Sequence, residues 1–349
     1  MKELPFDFFK QQTEKQWADL IHKELQLGYP LDELAVKVFD DFKTKPFYTK
    51  ESEEYKDNIA RRFHNRLNPK KCLNVPCISG TDQEVAKDIY DGADGIWTNN
   101  PHNLPVKPFS YTFISCPEIS SWEYAAKNNS TGTKTFLISN PDDLTNINTE
   151  RIMEVSEGWN GKILGMSIQL SSQGHLPVRK LVDTIRKWAA AGLPASVIAD
   201  HLFFSLSIGG DFLLETCFLR ALKASLFLIL RAEGLLINPE QVFIHGLNSK
   251  WVESTYAPAS NLIKEPVTAL AAVIGGCDAL SCEAEDPTDA TQLRIVKNIF
   301  LILDEESFVG KTLDPVAGSY FFDSVTSTLI RRHWNNYLQE FKIKHTLED

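Results

Sequence analysis

The chain has 349 residues, enough for one large α/β barrel or two ordinary domains. Its formal net charge of −10 argues against a nucleic-acid partner, whose phosphates need a basic footprint, but leaves room for an anionic small ligand at a local basic cluster. The six cysteines include no C-x-x-C pair and are too sparse for a disulfide framework. The start, "MKELPFDFFKQQTEKQ", lacks the basic and apolar regions of a signal peptide. The longest apolar run, around Leu226 to Leu230, is far too short to span a bilayer. A cytoplasmic protein without a membrane span is the expectation.

In chain order, residues 7 to about 28 read as an amphipathic helix: Phe9, Trp17, Leu20, Ile21 and Leu25 recur at helical spacing, and Gly28-Tyr29-Pro30 stops it. A charged segment follows to residue 71, carrying "FKTKPFYT" (Phe42 to Thr49), read as an extended arm. From residue 72 the texture changes to short apolar runs. The candidate strands are 72–78, 95–97, 110–115, 134–139, 163–170, 201–208, 241–246 and 278–284, with amphipathic helices over 82–92, 178–192, 211–234 and 265–276. Eight strands alternating with helices predict parallel pairing through right-handed crossovers. A (β/α)₈ TIM barrel is the economical closure, because no G-x-G-x-x-G turn follows the first strand to favour a doubly wound sheet. The domain reading is an N-terminal helix and arm over 1–71, a barrel over 72–323 and a C-terminal helix over 324–349.

Two segments invite more than a barrel role. The helix from Asp211 is apolar except for a stripe of Thr216, Arg220, Lys223 and Arg231, so it should bury most of its circumference, against the barrel and against either the arm or another chain. The connector "DPVAGSYFFDSVT" (Asp314 to Thr326) reads as structural. Pro315 ends an element, Gly318 supplies a backbone conformation other residues resist, the aromatics pack under the barrel, and Ser324 or Thr326 caps the last helix. Leu329, Ile330, Trp334, Leu338 and Phe341 give that helix its apolar face.

Residues 291–326, "TQLRIVKNIFLILDEESFVGKTLDPVAGSYFFDSVT", resemble the end of the barrel domain in the methylmalonyl-CoA mutase family. "DFLLETCFLRALKASL" (211–226), "EPVTALAAVIGGCDAL" (265–280) and "FKTKPFYT" are similar to further family segments, in the same order. The resemblance implies a TIM barrel and a radical rearrangement between methylmalonyl-CoA and succinyl-CoA that uses adenosylcobalamin. It also marks departures. No D-x-H-x-x-G cobalt-ligating motif occurs, and the chain ends about where that domain would begin in the family. The "RQYAGF" region is here "LNVPCISGTDQE" (73–84), and "SGYH" is replaced within "MSIQLSSQG" (166–174), with His175 just beyond. Of "HTQT" only His245 persists, with Asn248 and Lys250 nearby.

The resemblance therefore implies a small, non-catalytic subunit: no catalytic residue, no metal and no cofactor in this chain, with adenosylcobalamin on a large catalytic partner or, failing a partner, self-association. A relic substrate groove would comprise His245, Asn248, Lys250, Gln169, Ser171, Ser205 and Ser207. His245 would either donate to a CoA carbonyl or persist as a core histidine. Ser167, Gln169 and Ser171 alternate with apolar residues, as do Ser205 and Ser207, which puts each set on one side of its strand. In the family such hydroxyls line the axis for a pantetheine arm. Arg61, Arg62, Arg66, Lys70 and Lys71 form a basic cluster that would meet CoA phosphates or face a partner. Two rivals remain: an active mutase barrel using a cobalamin domain on a separate chain, and an acyl-CoA binding module.

Overall fold

The structure, a computed structural model, describes residues 12–24, 31–39, 42–56, 59–64, 71–78, 92–99, 109–115, 133–139, 149–169, 176–248 and 260–342. The predicted helix over 82–92 lies almost wholly outside them. So do the ends of the first helix, of which α1 (Glu14–Glu24) is described.

All eight expected strands form. They are β3 (Leu73–Asn74), β4 (Gly95–Thr98), β5 (Tyr111–Ser115), β6 (Lys134–Ser139), β7 (Gly161–Ile168), β8 (Leu202–Ser207), β9 (Ile244–Asn248) and β10 (Ala279–Cys282). They make one parallel sheet in the order β3-β10-β9-β8-β7-β6-β5-β4. A bridge from Cys77 to Trp97 joins the two ends, supported by Trp97 N–H to Pro76 C=O at 3.0 Å and Ile78 N–H to Trp97 C=O at 2.9 Å. The α/β barrel is thus closed.

Alternation along each strand sorts its side chains. Ile114, Leu137, Phe204 and Leu206 turn outward into the layer under the helices, while Phe113, Phe136 and Phe203 turn inward. The outer layer is supplied by α4 (Thr149–Ser156), α5 (Val178–Ala190), α6 (Ala195–His201), α7 (Phe212–Ala232), α8 (Ser260–Gly275), α9 (Ala290–Leu301) and α10 (Tyr320–Phe341).

Helix α7 starts where Asp211 accepts from the Leu214 N–H at 3.1 Å. It is buried nearly all round, as its composition requires, and the cover comes from within the chain. Leu219, Leu222 and Leu226 face the barrel; Cys217, Phe218 and Ala221 meet Tyr48, Ile59 and Ala60 of the arm and Val325, Leu329 and Ile330 of α10. The apolar surface that suggested a second chain here is therefore largely spent on the arm and α10. Trp17 is likewise occupied, stacked on Phe47 at 4.9 Å, whereas Phe8 and Phe9 lie outside the described residues.

Of the α7 stripe, Arg220 and Lys223 are paired inside the chain, Thr216 turns back on the Phe212 carbonyl and Arg231 is exposed. Arg220 donates from both Nη atoms to Asp314, at 2.7 and 2.8 Å. Lys223 Nζ donates to Asp278 at 3.0 Å and to the Gly276 carbonyl at 3.1 Å. Arg220 and Asp314 come from two of the segments that carried the family resemblance, so one bidentate pair holds them together.

Two local readings need correction. The arm is a ribbon, not merely extended: β1 (Val36–Phe39) pairs antiparallel with β2 (Phe42–Thr44). It continues through α2 (Glu53–Lys56) and α3 (Ile59–His64). Helix α10 begins at Tyr320 behind Gly318 (φ +80°), so Ser324 and Thr326 are buried inside it instead of capping it. Its first aromatics clasp the arm: Tyr320 lies edge-on to Tyr55, Phe321 to Tyr48.

Candidate functional site

Phe113 on β5 stacks on His245 of β9 with ring centroids 4.8 Å apart. Those strands stand four places apart in the ring, so the contact runs through the barrel axis. The axis is filled. Phe113 stacks on Phe136 at 4.4 Å, and Phe136 packs against Phe243 at 5.0 Å and edge-on against Phe203 at 5.4 Å. Val75, Cys77, Trp97, Ile138 and Ala279 complete this inner cluster. Gly165 on β7 makes the filling feasible, because a Cβ there would collide with the Phe203 ring and the Leu137 carbonyl oxygen.

His245 is fully enclosed, at 0% exposure. Its Nδ1 lies 2.8 Å from Ser205 Oγ and its Nε2 lies 2.9 Å from Ser281 Oγ. Both ring nitrogens are engaged, and burial lowers its pKa from 6.5 to about 3, so the ring is neutral at physiological pH. A neutral imidazole between two hydroxyls and against a phenyl face is a satisfied core group. Its one N–H and its one lone pair are both taken up by the serines, so neither is open to a substrate carbonyl or a metal.

The other candidates disperse. Ser205 turns inward onto His245, whereas Ser207, at the C-terminal end of β8, and Gln169, just past β7, are exposed at the mouth. Asn248 is buried at the end of β9. Lys250, Ser171, His175, Arg66 and Lys70 lie outside the described residues. Within the basic cluster, Arg61 donates to the Tyr55 carbonyl at 2.7 Å, lies over the Tyr55 ring and sits 3.7 Å from Asp323 of α10, which docks the arm. Lys71 pairs with Asp94 at 3.1 Å and Asp304 at 3.7 Å, and Arg62 is exposed.

Sequence reasoning missed Ser281 and the four inward phenylalanines. The signal was present, since "YTFIS", "KTFLIS", "HLFFS" and "QVFIHG" each place a Phe within a strand segment. It also missed Glu265, 1% exposed on α8 with no hydrogen bond to either carboxyl oxygen. Burial first, then the charge of Glu285, raises its pKa from 4.5 to about 8. Among the described residues no group of three or more His, Cys, Asp or Glu could hold a metal ion.

Fold and site together define a closed parallel barrel whose axis is occupied by its own side chains. Residues 179–344 match the family model "Methylmalonyl-CoA mutase". The small subunit of methylmalonyl-CoA mutase from Porphyromonas gingivalis is 27% identical over 97% of this chain and 64% of its own length. The Escherichia coli methylmalonyl-CoA mutase is 31% identical, over 43% of this chain and 22% of its own. The Porphyromonas gingivalis large subunit is 30% identical, over 41% of this chain and 21% of its own. The chain thus matches about a fifth of the length of the two longer relatives. The likeness to the methylmalonyl-CoA mutase family model is carried by residues 179–344, and likeness to a small subunit extends through nearly the whole chain.

Proposed function

We propose that this chain is a non-catalytic small subunit of an adenosylcobalamin-dependent methylmalonyl-CoA mutase, pairing with and stabilising a large catalytic chain in the cytoplasm. The observation that carries the reading is the filled axis. Four phenylalanines and an enclosed, neutral His245 occupy the space where an acyl-CoA would have to thread. Two further observations support it. Small-subunit likeness covers 97% of the chain, and relatives from one organism are named as a large and a small subunit. His245, the histidine on the barrel axis, has both nitrogens engaged with serines, which supports placing adenosylcobalamin on the partner. The five described cysteines are buried and joined in no disulfide, which suits a reducing compartment.

The test is reconstitution with the cognate large subunit, followed by a mutase assay. The two chains should co-purify, and turnover should require the large subunit. His245→Ala in this chain should leave the turnover of the assembled pair within roughly twofold, since the ring touches no substrate. Loss of turnover in a pair that still assembles and stays folded would sink the proposal and favour a catalytic barrel. A saturable rise in melting temperature of the isolated chain with CoA would favour a binding module instead.

A further inference from the structure

Helix α8 carries a carboxyl group on the face it turns to the barrel. Asn261, Glu265, Thr268, Ala269 and Ala272 make up that buried face, at the spacing of successive helical turns. Glu265 is 1% exposed, and neither of its oxygens has a hydrogen-bond partner. The hydroxyl nearest along the helix, on Thr268, is spent on the Lys264 carbonyl at 3.2 Å.

The groups around it do not supply a counter-charge. From the end of β10 come the Cys282 thiol, which feels the charge of Glu265, and Glu285, which repels it, with half-buried Glu283 between them in sequence. β9 contributes His245, enclosed by serines. Arg220 and Lys223 of α7 are held by Asp314 and Asp278, and Lys311 pairs with Glu305 at 3.9 Å. Lys264 on α8 and Arg294 on α9 are exposed. No cation among the described residues, buried Lys297 of α9 included, pairs with Glu265. A carboxylate so placed is tolerated only while protonated; once ionised it must reach water.

Two features make the first turn of α8 the part that yields. Pro266, next in the chain, has no N–H, so the Leu262 carbonyl lacks its helical donor and the turn is joined to the rest of the helix by fewer bonds. The outer side of the turn is open as well. Ile263 is 73% exposed and Lys264 is exposed, so outward movement breaks little packing there.

We propose that the first turn of α8, Ser260–Glu265, is a pH-operated flap on the outer layer of the barrel, closed while Glu265 carries its proton and opening about Pro266 when Glu265 ionises. The inference does not rest on the subunit reading above, and either can fail alone.

The opening is tied to one proton. In the closed turn burial first, and Glu285 second, hold the proton on Glu265 up to about pH 8, whereas a carboxyl opened to water releases it at the ordinary 4.5. The open form thus binds fewer protons between those values, and its population should rise about tenfold per pH unit, levelling off above pH 8. Amide hydrogen exchange of the isolated full chain, corrected for the intrinsic pH dependence of exchange, reads this population. The amides of Lys264, Glu265, Val267, Thr268 and Ala269 report it, because helix geometry pairs each with a carbonyl of the first turn. Their protection should fall about tenfold per pH unit across the window, while α5 stays better protected at every pH. Glu265→Gln should abolish the pH dependence and keep the turn closed. Glu285→Gln removes the repelling charge and should move the levelling-off to lower pH. The proposal is overturned if protection of these amides does not change with pH, or if Glu265→Gln keeps the wild-type slope. Exchange of α5 through the same opening at the same rate would mean global unfolding and overturns it as well.

Discussion

Replacing Glu265 by glutamine should stabilise this protein, by an amount that depends on pH in a calculable way. The carboxyl is 1% exposed, and neither oxygen has a hydrogen-bond partner. Burial first, and Glu285 second, raises its pKa from 4.5 to about 8. Folding therefore keeps a proton that the unfolded chain releases above pH 4.5. Between pH 4.5 and 8 the unfolded state binds fewer protons, so wild-type stability falls as pH rises through that window. At about 1.4 kcal/mol per pH unit, the loss amounts to about 3 kcal/mol by pH 7 and between about 4 and 5 kcal/mol near pH 8. Glutamine keeps the shape and is neutral in both states, so Glu265→Gln escapes the loss. Urea denaturation of both proteins at pH 4.5, 6, 7 and 8 reads the difference directly. The two should coincide at the acid end and diverge steadily toward alkaline pH. Parallel profiles, offset by a constant, would mean that Glu265 is ionised in the folded chain and would refute the argument.

Acid should act through His245 with the opposite slope. Its folded pKa of about 3 lies below the ordinary 6.5, so the unfolded chain binds the extra proton between those values. Stability is lost as pH falls below 6.5, by about 1.4 kcal/mol per unit, and His245→Gln should flatten that limb of the denaturation profile. Arg220→Ala leaves Asp314 facing a hole where a bidentate partner stood; a loss of about 3 kcal/mol in chemical denaturation is expected. Arg220→Lys should recover only part of it, because an ammonium cannot reproduce the fork. Gly165→Ala drives a methyl against both the Leu137 carbonyl oxygen and the Phe203 ring and should cost at least about 1 to 3 kcal/mol. Phe203→Leu in the same chain should relieve part of that cost, which a double-mutant cycle measures.

The eight strands were legible because each is a short apolar run between helical stretches, and the outward residues Ile114, Leu137 and Phe204 obey the period of two. The axis was harder to read. A phenylalanine in a strand looks the same from the sequence whether it faces helices or the lumen. Only the register that brings Phe113, Phe136, Phe203 and Phe243 together decides it. The serines at 205 and 207 were correctly placed on one side of β8, yet their alternation says nothing about what fills the space beside them. The burial of α7 followed from its composition, but its cover did not. Contacts such as Ala60 N–H to Ser327 Oγ bridge residues 267 positions apart, and no local pattern encodes such a pairing. The start of α10 was missed because Tyr320-Phe321-Phe322 read as connector packing, whereas they form the helix's first turn and grip the arm.

The closure of the ring is uneven. β3 gives β10 a ladder of two residue pairs, Leu73 with Ala279 and Asn74 with Leu280, and its segment meets the β4 side through the bridge at Cys77 and an Asp94 N–H to Asn74 C=O bond at 2.9 Å. The next seam, β4 with β5, has four pairs, and β5 with β6 has five. Mechanically the barrel is a curved seven-stranded sheet fastened by a latch. With a strand of only two residues at its centre, this latch is where a ring of this kind parts first, ahead of global unfolding. Behind it stand Val75 and Trp97 of the aromatic plug, so water would reach the axis from the side rather than from either end. Cys77, 3% exposed and seated on the latch itself, turns the rate of thiol modification into a clock for that opening.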